Sequence, residues 1–262
     1  MSERNSMPDG KDRKYSTPAL EKGLDVLELL AHQPAGLTKS QVARELGRTV
    51  SEIFRMLVTL EQRGYITQVD QDRYVLTLKL FRLVQEHPPT ERLVTDANTI
   101  LQRIAHDTLQ SCHLGMLESG LISILAQANP PFHLGFYVRL GSTVDIMESA
   151  SGYVILAHLP AEQRARVIEA WRRDTGKRPP RDLDEHLRRI ARAGYEKRSS
   201  YQTKGVLNIS FPVFDQRGAA LGAITIPYIE YIGETPSLLR VTEILREGAA
   251  ELTTRIGGVL PR

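Results

Sequence analysis

Apolar residues recur along this chain at two periods, and the switch between them marks out the elements. Leu20, Leu24, Leu27 and Leu30 fall three or four apart, a helical stripe able to close a small core. Val42 and Leu46 repeat that spacing, and Ile53, Met56, Leu57 and Leu60 do so more fully. Polar residues supply the punctuation. Thr38 stands three residues before Gln41 and Thr49 three before Glu52, so two capping boxes open two helices in close succession. Gly47 and Gly64 follow those helices, where a residue free to take positive φ is favoured. The period then drops to two. Tyr65–Val69 and Arg73–Thr77 alternate on either side of Asp70-Gln71-Asp72, which reads as a hairpin.

Three helices and a hairpin spell a winged helix-turn-helix, whose most direct use is to lay its second helix in the DNA major groove. With the apolar stripe inward, that helix turns Ser51, Glu52, Arg55, Thr59 and Gln62 outward. Side chains near its start reach base edges, so Thr49, Ser51, Glu52 and Arg55 are the candidates for direct readout. Arg55 suits a guanine edge or a phosphate, and Glu52 either accepts from cytosine or serves only its cap. Arg73 is the wing residue able to neutralise a phosphate, beside Asp70 and Asp72, which weaken the field. The full DNA-contacting set expected is Thr38, Ser40, Thr49, Ser51, Glu52, Arg55, Thr59 and Arg73. The competing reading of each is an ordinary solvated helix face.

Helical spacing resumes over Leu78–Gln85 and breaks at Pro88-Pro89. Thr90 is then expected to cap a linker helix with Leu93, Ala97, Ile100, Leu101 and Ile104 on one face. Beyond it, Cys112–Leu117 and Leu121–Gln127 read as a hairpin around Glu118-Ser119-Gly120, and Gly135–Arg139 as a third strand. Helices are predicted around Ser149–His158, Ala161–Arg172 and Leu183–Arg192, the last with a basic outer face. Tyr195–Ser199, Leu207–Phe214 and Leu221–Tyr228 return to strand, and Leu238–Ile256 closes the chain as a helix. The fold class is α+β in two domains: a winged helix-turn-helix, then a curved antiparallel sheet with covering helices, a sensor-like (GAF/PAS-like) effector-binding domain. The expected division is a disordered leader at 1–17, the winged domain at 18–85, a linker helix at 86–110 and the effector-binding domain at 111–262. In the leader, Lys11, Arg13 and Lys14 form either an arm on DNA or part of a solvated tail.

The residues quoted so far resemble a known family. ALEKGLDVLELLA, GLTKSQVARELG, SEIFRMLVTLEQRGYI and DRYVLTLKLFRL look like the isocitrate-lyase-regulator (IclR) type of bacterial transcription factor. ESASGYVILAHLP and GYEKRSSYQTKGVLNISFPVFDQRGAALGAITI extend the likeness more loosely through the second half. The resemblance implies a homo-oligomeric repressor or activator whose C-terminal domain binds a small effector. Carried over position by position, it puts the effector between the sheet and the start of the central helix. The implied set is Ser149, Ala150, Ser151, Gly152, Arg198, Ser199, Asn208 and Thr225. Small residues at a helix N-terminus suit an anion, because free N–H groups and the helix dipole both point at it. The departures from the family pattern are Asn208 where cysteine is common, Tyr153 where lysine is common, Pro227 in place of a serine, and Arg198 or Ser199 at an acidic position. The pocket's place carries over; the ligand's identity does not. A small organic, sugar or aromatic acid fits the donors best.

Bulk numbers set bounds rather than direction. The net charge of +3 over 262 residues is compatible with nucleic acid but would not by itself point there. One cysteine, Cys112, leaves no internal disulfide, and an apolar setting makes it a buried, inert thiol. No apolar run reaches membrane-spanning length, so a cytoplasmic, nucleoid-associated protein is expected, with no cofactor, metal or membrane partner. The partners expected are a double-stranded DNA operator, a small-molecule effector and further copies of the chain, as homodimer or homotetramer.

Two other classes stay open. An enzyme built on the second domain would need catalytic groups, and the chain shows no GxSxG, HExxH, Walker or GxGxxG motif. His32, His87, His106, His113, His133, His158 and His186 stand singly; His113 either faces a pocket or, the preferred reading, is a hydrogen-bonded structural histidine. A ligand-blind oligomerisation or protein-contact module is the other alternative.

Overall fold

The computed structural model describes residues 17–70, 72–85, 88–118, 120–131, 135–232 and 236–261. Lys11, Arg13 and Lys14, Gln71 of the hairpin turn and Ser119 lie outside the described residues. The chain forms two compact units, Met1–Glu91 and Arg92–Arg262.

In the first unit, α1 (Pro18–Ala31), α2 (Lys39–Glu45) and α3 (Val50–Gln62) surround a core of Val26, Leu30, Val42, Ile53, Leu57, Ile66 and Tyr74. Both capping boxes form. Thr38 Oγ1 accepts from the Gln41 amide at 3.3 Å while Gln41 Oε1 accepts from the Thr38 amide at 2.9 Å. The hairpin, β2 (Ile66–Val69) and β3 (Arg73–Leu76), is joined by a strand absent from the sequence pattern, β1 (Leu37–Thr38), giving the order β1-β3-β2. Two residues are too short a run to show alternation. The leucine stripe of α1 divides: Leu30 is buried, whereas Leu20 and Leu24 are 61% and 48% exposed. The N-terminal half of that helix is longer than the small core it serves. α4 (Lys79–Gln85) follows the wing with Leu78 ahead of it and Phe81 and Leu83 on it exposed.

α5 runs from Pro88 to Thr108 without a break at the diproline, so Thr90 lies inside its first turn instead of capping it. The two prolines occupy the opening positions of the helix, where their missing N–H groups would have had no intrahelical acceptor in any case.

The second unit is built on one six-stranded antiparallel sheet, ordered β6-β5-β4-β9-β8-β7. Its strands are β4 (Cys112–Glu118), β5 (Leu121–Ala128), β6 (Thr143–Asp145), β7 (Glu196–Ser199), β8 (Leu207–Phe214) and β9 (Ala220–Tyr228). The third strand is therefore Thr143–Asp145, and Gly135–Arg139 is irregular. The free edge of β5 is taken by the later residues: Ile124 bonds Gly141 and Ser142 in both directions, leaving 135–139 no ladder to join.

Alternation along these strands gives the sheet two unlike faces. Cys112, Leu114, Ile209, Phe211, Ile224 and Ile226 point into a core completed by α5 and α9 (Leu238–Arg255). Cys112 is fully buried there, its Sγ directed at the Leu101 carbonyl, and burial pushes its thiol pKa up. On the other face, a second core gathers Ile122, Ile146 and Ala223 under α6 (Ala150–His158), α7 (Ala161–Thr175) and α8 (Leu183–Ala193). That second face is not filled throughout.

Candidate functional site

The outward side of α3 is the first place where chemistry is left uncommitted. Ser51, Arg55, Thr59 and Gln62 are exposed, and so is Thr49 at the cap. Arg55 has no ion pair or side-chain hydrogen bond among the described residues. Thr59 spends its hydroxyl on the Arg55 carbonyl at 3.0 Å. Glu52 is occupied twice over: one oxygen takes the Thr49 amide at 3.0 Å and hydroxyl at 2.9 Å, the other takes Lys22 Nζ of α1 at 2.7 Å. These bonds hold its carboxyl down to about 2, so it stays ionised and serves as clasp between α1 and α3. Arg73 gives one guanidinium N–H to the Gly36 carbonyl at 3.0 Å and is half-buried. Thr38 is half-buried in its capping box, and Ser40 beside it is exposed.

Two residues on α3 escaped the sequence reading. Val50 and Phe54 are 41% and 48% exposed, one turn apart on α3, with Lys39 Nζ 5.9 Å from the Phe54 ring. The signal was present as two apolar residues off the core stripe, which is unusual on a solvated face.

The second place is a cavity of about 440 Å³ on the open part of the sheet's second face. Its walls come from the start of α6, from β4, β8 and β9, from the 136–144 segment and from the β7–β8 loop. Ser149 is the N-cap of α6: its Oγ accepts from the Gly152 amide at 3.1 Å and donates to the Asp145 carbonyl at 2.7 Å. The first two amides of the helix, on Ala150 and Ser151, have no intrahelical acceptor. Asp145 fixes this turn. Its carboxylate accepts from the Met147 amide at 2.7 Å and from Trp171 Nε1 at 3.1 Å, clamping the turn to α7. Gly152 permits the close approach: a Cβ there would sit 2.1 Å from the Ile146 carbonyl oxygen.

Of the expected effector set, Ser149, Ala150, Ser151, Asn208 and Thr225 line this cavity, whereas Gly152, Arg198 and Ser199 do not. Gly152 is the packing residue just described. Arg198 lies opposite Asn208 in the β7–β8 register but lays its guanidinium over the Tyr153 ring at 4.4 Å. Its Nη1 is buried without a hydrogen-bond partner among the described residues. Ser199, next along β7, is exposed.

The cavity also contains residues the sequence reading passed over. Arg139 is the one Lys or Arg side chain among the lining residues, and it is exposed. Phe136, whose carbonyl accepts from Ser111 Oγ, and Tyr137 form part of the wall. His113 is there too, 4% exposed, with no hydrogen-bond partner among the described residues. The structural-histidine reading is thereby corrected. Burial holds its imidazole down to about 4, so it is neutral at physiological pH. The available signal was its place in β4: Cys112 belongs to the core, so the next residue must face the other way.

Comparison with known proteins bears on both places. A family model described as the IclR helix-turn-helix domain matches residues 19–70, and one described as the bacterial transcriptional regulator IclR C-terminal matches residues 90–254. The chain belongs to the IclR family. It is 23% identical to the HTH-type transcriptional regulator KdgR of Escherichia coli, over 92% of this chain and 94% of that one. It is 27% identical to BhcR of Paracoccus denitrificans, over 93% and 88%. The transcriptional repressor IclR of Escherichia coli is 22% identical over 92% and 90%. Among solved structures, the Thermotoga maritima IclR superposes with a TM-score of 0.71 at 22% identity, over 91% of this chain and 98% of that one. An IclR homologue from Microbacterium hydrocarbonoxydans, complexed with 4-hydroxybenzoate, does so with a TM-score of 0.74 at 21% identity, over 91% and 98%. The α+β architecture, with an N-terminal helix-turn-helix and a curled antiparallel C-terminal sheet, is thus the IclR fold, and these relatives are transcriptional regulators. No helix among the described residues is long and apolar enough to cross a membrane.

Proposed function

We propose that this IclR-family chain is an operator-binding regulator whose DNA affinity is set by a small carboxylate held in the cavity of the second unit. The observation that carries the reading is the start of α6. A serine-capped helix N-terminus, with two amides lacking intrahelical acceptors, opens onto a half-open, partly polar cavity large enough for a small acid. The 4-hydroxybenzoate complex of the Microbacterium hydrocarbonoxydans homologue is consistent with an acid as ligand class.

In this reading, residues 18–85 read DNA, 86–110 link, and 111–262 bind the effector. Thr49, Ser51 and Arg55 address base edges and phosphates from the start of α3, with Val50 and Phe54 placed to meet thymine methyl groups. Arg73 follows the backbone, and Glu52 holds α3 in place. The exposed apolar residues Leu20, Leu24, Leu78 and Phe81 are the surface a second copy would cover, giving paired modules for a near-palindromic operator. The ligand acts by population shift: it binds one spacing of the paired modules better than the other, so that ligand and operator change each other's affinity by the same factor.

The test is capture of genomic fragments by the full chain, followed by footprinting of the strongest site in a salt series with and without candidate carboxylates. A discrete inverted repeat, steep weakening with salt and a shift in affinity with an acid support the reading. Absence of sequence selectivity by a folded, oligomeric sample overturns it.

A further inference from the structure

Positive charge in this chain is gathered away from the helix-turn-helix unit. Residues 18–85 hold nine Lys or Arg against eight Asp or Glu. Residues 177–204 hold nine against four, a surplus larger than the +3 of the whole chain. That stretch contains α8 and the edge strand β7, and none of its cations lines the cavity. Leu183, Leu187 and Ile190 bury one side of α8. Arg188, Arg189 and Arg192 share about a third of its circumference on the opposite side, and all three are exposed. None enters an ion pair among the described residues, although Asp184 and Glu185 stand one turn earlier on the same helix. Arg192 gives its Nε–H to the Arg188 carbonyl at 3.4 Å and keeps its charge uncompensated. The arginines of α7 are different: Arg166, Arg172 and Arg173 pair with Glu162, Glu169 and Asp174. Attraction to the helix C-terminus accounts for Arg192 alone, since that effect is confined to the last turn. Beside the row, Arg189 and Lys197 of β7 line a shallow depression of about 330 Å³. Glu196 also lines it, but is 6% exposed and bound to His186 Nε2 at 3.0 Å, so its charge is turned inward.

A row of like charges repels itself, and a polyanion relieves that repulsion. Two kinds of polyanion meet a transcriptional regulator: duplex DNA and acidic protein surfaces. The composition of this face separates them. Apart from charged residues, α8 exposes only Ala191 and Ala193. A protein contact draws its energy from apolar or aromatic anchors in desolvated pockets. A phosphate backbone needs no such anchor, because cations hold it by releasing counterions and the forked donors of arginine match its oxygens. We infer that the outer face of α8, with Lys197 beside it, holds the phosphate backbone of duplex DNA without regard to sequence. It supplies the electrostatic grip that a nearly neutral winged unit lacks, and leaves α3 to discriminate among bases. The inference stands whether or not the cavity takes an acid.

The experiment follows binding of the full chain to a mixed-sequence duplex across a salt series. Arg188→Gln, Arg189→Gln and Arg192→Gln, made together, remove the row while keeping good helix formers on the surface. The slope of log affinity against log salt should shrink by about one for each arginine that holds a phosphate, hence by about two to three. The corresponding three lysine substitutions should retain the slope. A charge-matched control, Arg166→Gln, Arg172→Gln and Arg173→Gln on α7, should leave it unchanged. Arginine modification by phenylglyoxal, mapped by mass spectrometry, gives a second reading on the unaltered protein should the triple variant not fold. Duplex should shield Arg188, Arg189 and Arg192 at low salt and release them at high salt, whereas poly-glutamate at equal charge should shield them less. An unchanged slope in the folded triple variant, an equal drop in the α7 control, or full modification of the three arginines under bound duplex overturns the inference. Shielding by poly-glutamate that equals or exceeds shielding by duplex overturns it too, and reassigns the face to an acidic protein.

Discussion

His113 is a useful residue to argue from because its environment makes a sign-definite prediction about pH. Folded, its imidazole resists protonation down to about 4; unfolded, it takes a proton below about 6.5. Between those values the unfolded chain binds more protons than the folded one, so stability must fall as pH drops through the window. The span corresponds to about 3 kcal/mol at its acid end. Denaturant unfolding at pH 7 and pH 5 should therefore show a loss that is clearly smaller in His113→Leu. Glu52 behaves in the opposite chemical sense with the same outcome. Its carboxyl is held down to about 2, so the clasp to Lys22 and Thr49 persists above the ordinary carboxylate range and is lost only in strong acid. Glu52→Gln should lower the melting temperature of the N-terminal unit while leaving base preference unchanged, whereas Arg55→Ala should do the reverse. A footprint pattern that changes with Glu52→Gln would move that residue from clasp to reader.

At the level of elements, local chemistry was legible and edge pairing was not. The capping boxes at Thr38 and Thr49 need only residues three apart, and both appear as read. The limits of β8 follow from alternation alone, and the helices after Ser149 end within a few residues of where periodicity puts them. The 135–139 segment alternates equally well yet forms no strand, because pairing is decided by which segment reaches the β5 edge first in space. The site divides in the same way. Ser149, Ser151, Asn208 and Thr225 came from the family resemblance, and they line the cavity because each keeps its place within a single element. Arg198 looked the natural partner for an acid until tertiary packing laid it over Tyr153, and the exposed cation at the cavity is Arg139. Helix α6 carries its own test. Gly152→Ala would drive a methyl into the Ile146 carbonyl, so it should cost about 1–3 kcal/mol by denaturant unfolding and abolish acid binding together with it. Trp171→Phe removes only the clamp on Asp145; it should weaken acid binding with a much smaller loss of stability.

For the molecule as a whole, the small net charge of +3 means that no single winged unit has much electrostatic hold on DNA. In the reading proposed above, affinity comes from joining two of them. Replacing the exposed Leu24 and Phe81 by glutamate should yield a smaller species in sedimentation, with about half the salt slope for operator binding. An unchanged sedimentation coefficient would place the contact between copies elsewhere.

The two-faced sheet has a consequence for how such a protein can diverge. Positions 112, 209 and 224 belong to the packed core, while their neighbours 113, 208 and 225 look into the cavity. Recognition and folding are thus written in alternating letters of the same strands. Substitutions at the cavity positions need not disturb the packing beneath them, so if the cavity holds a metabolite as proposed, taste for one can drift into taste for another at little thermodynamic penalty. An insertion or deletion of one residue in β4 would be far harsher, exchanging Cys112 and His113 between oil and ligand in a single step. Descendants of this chain should accordingly vary by replacement within these strands and keep their length.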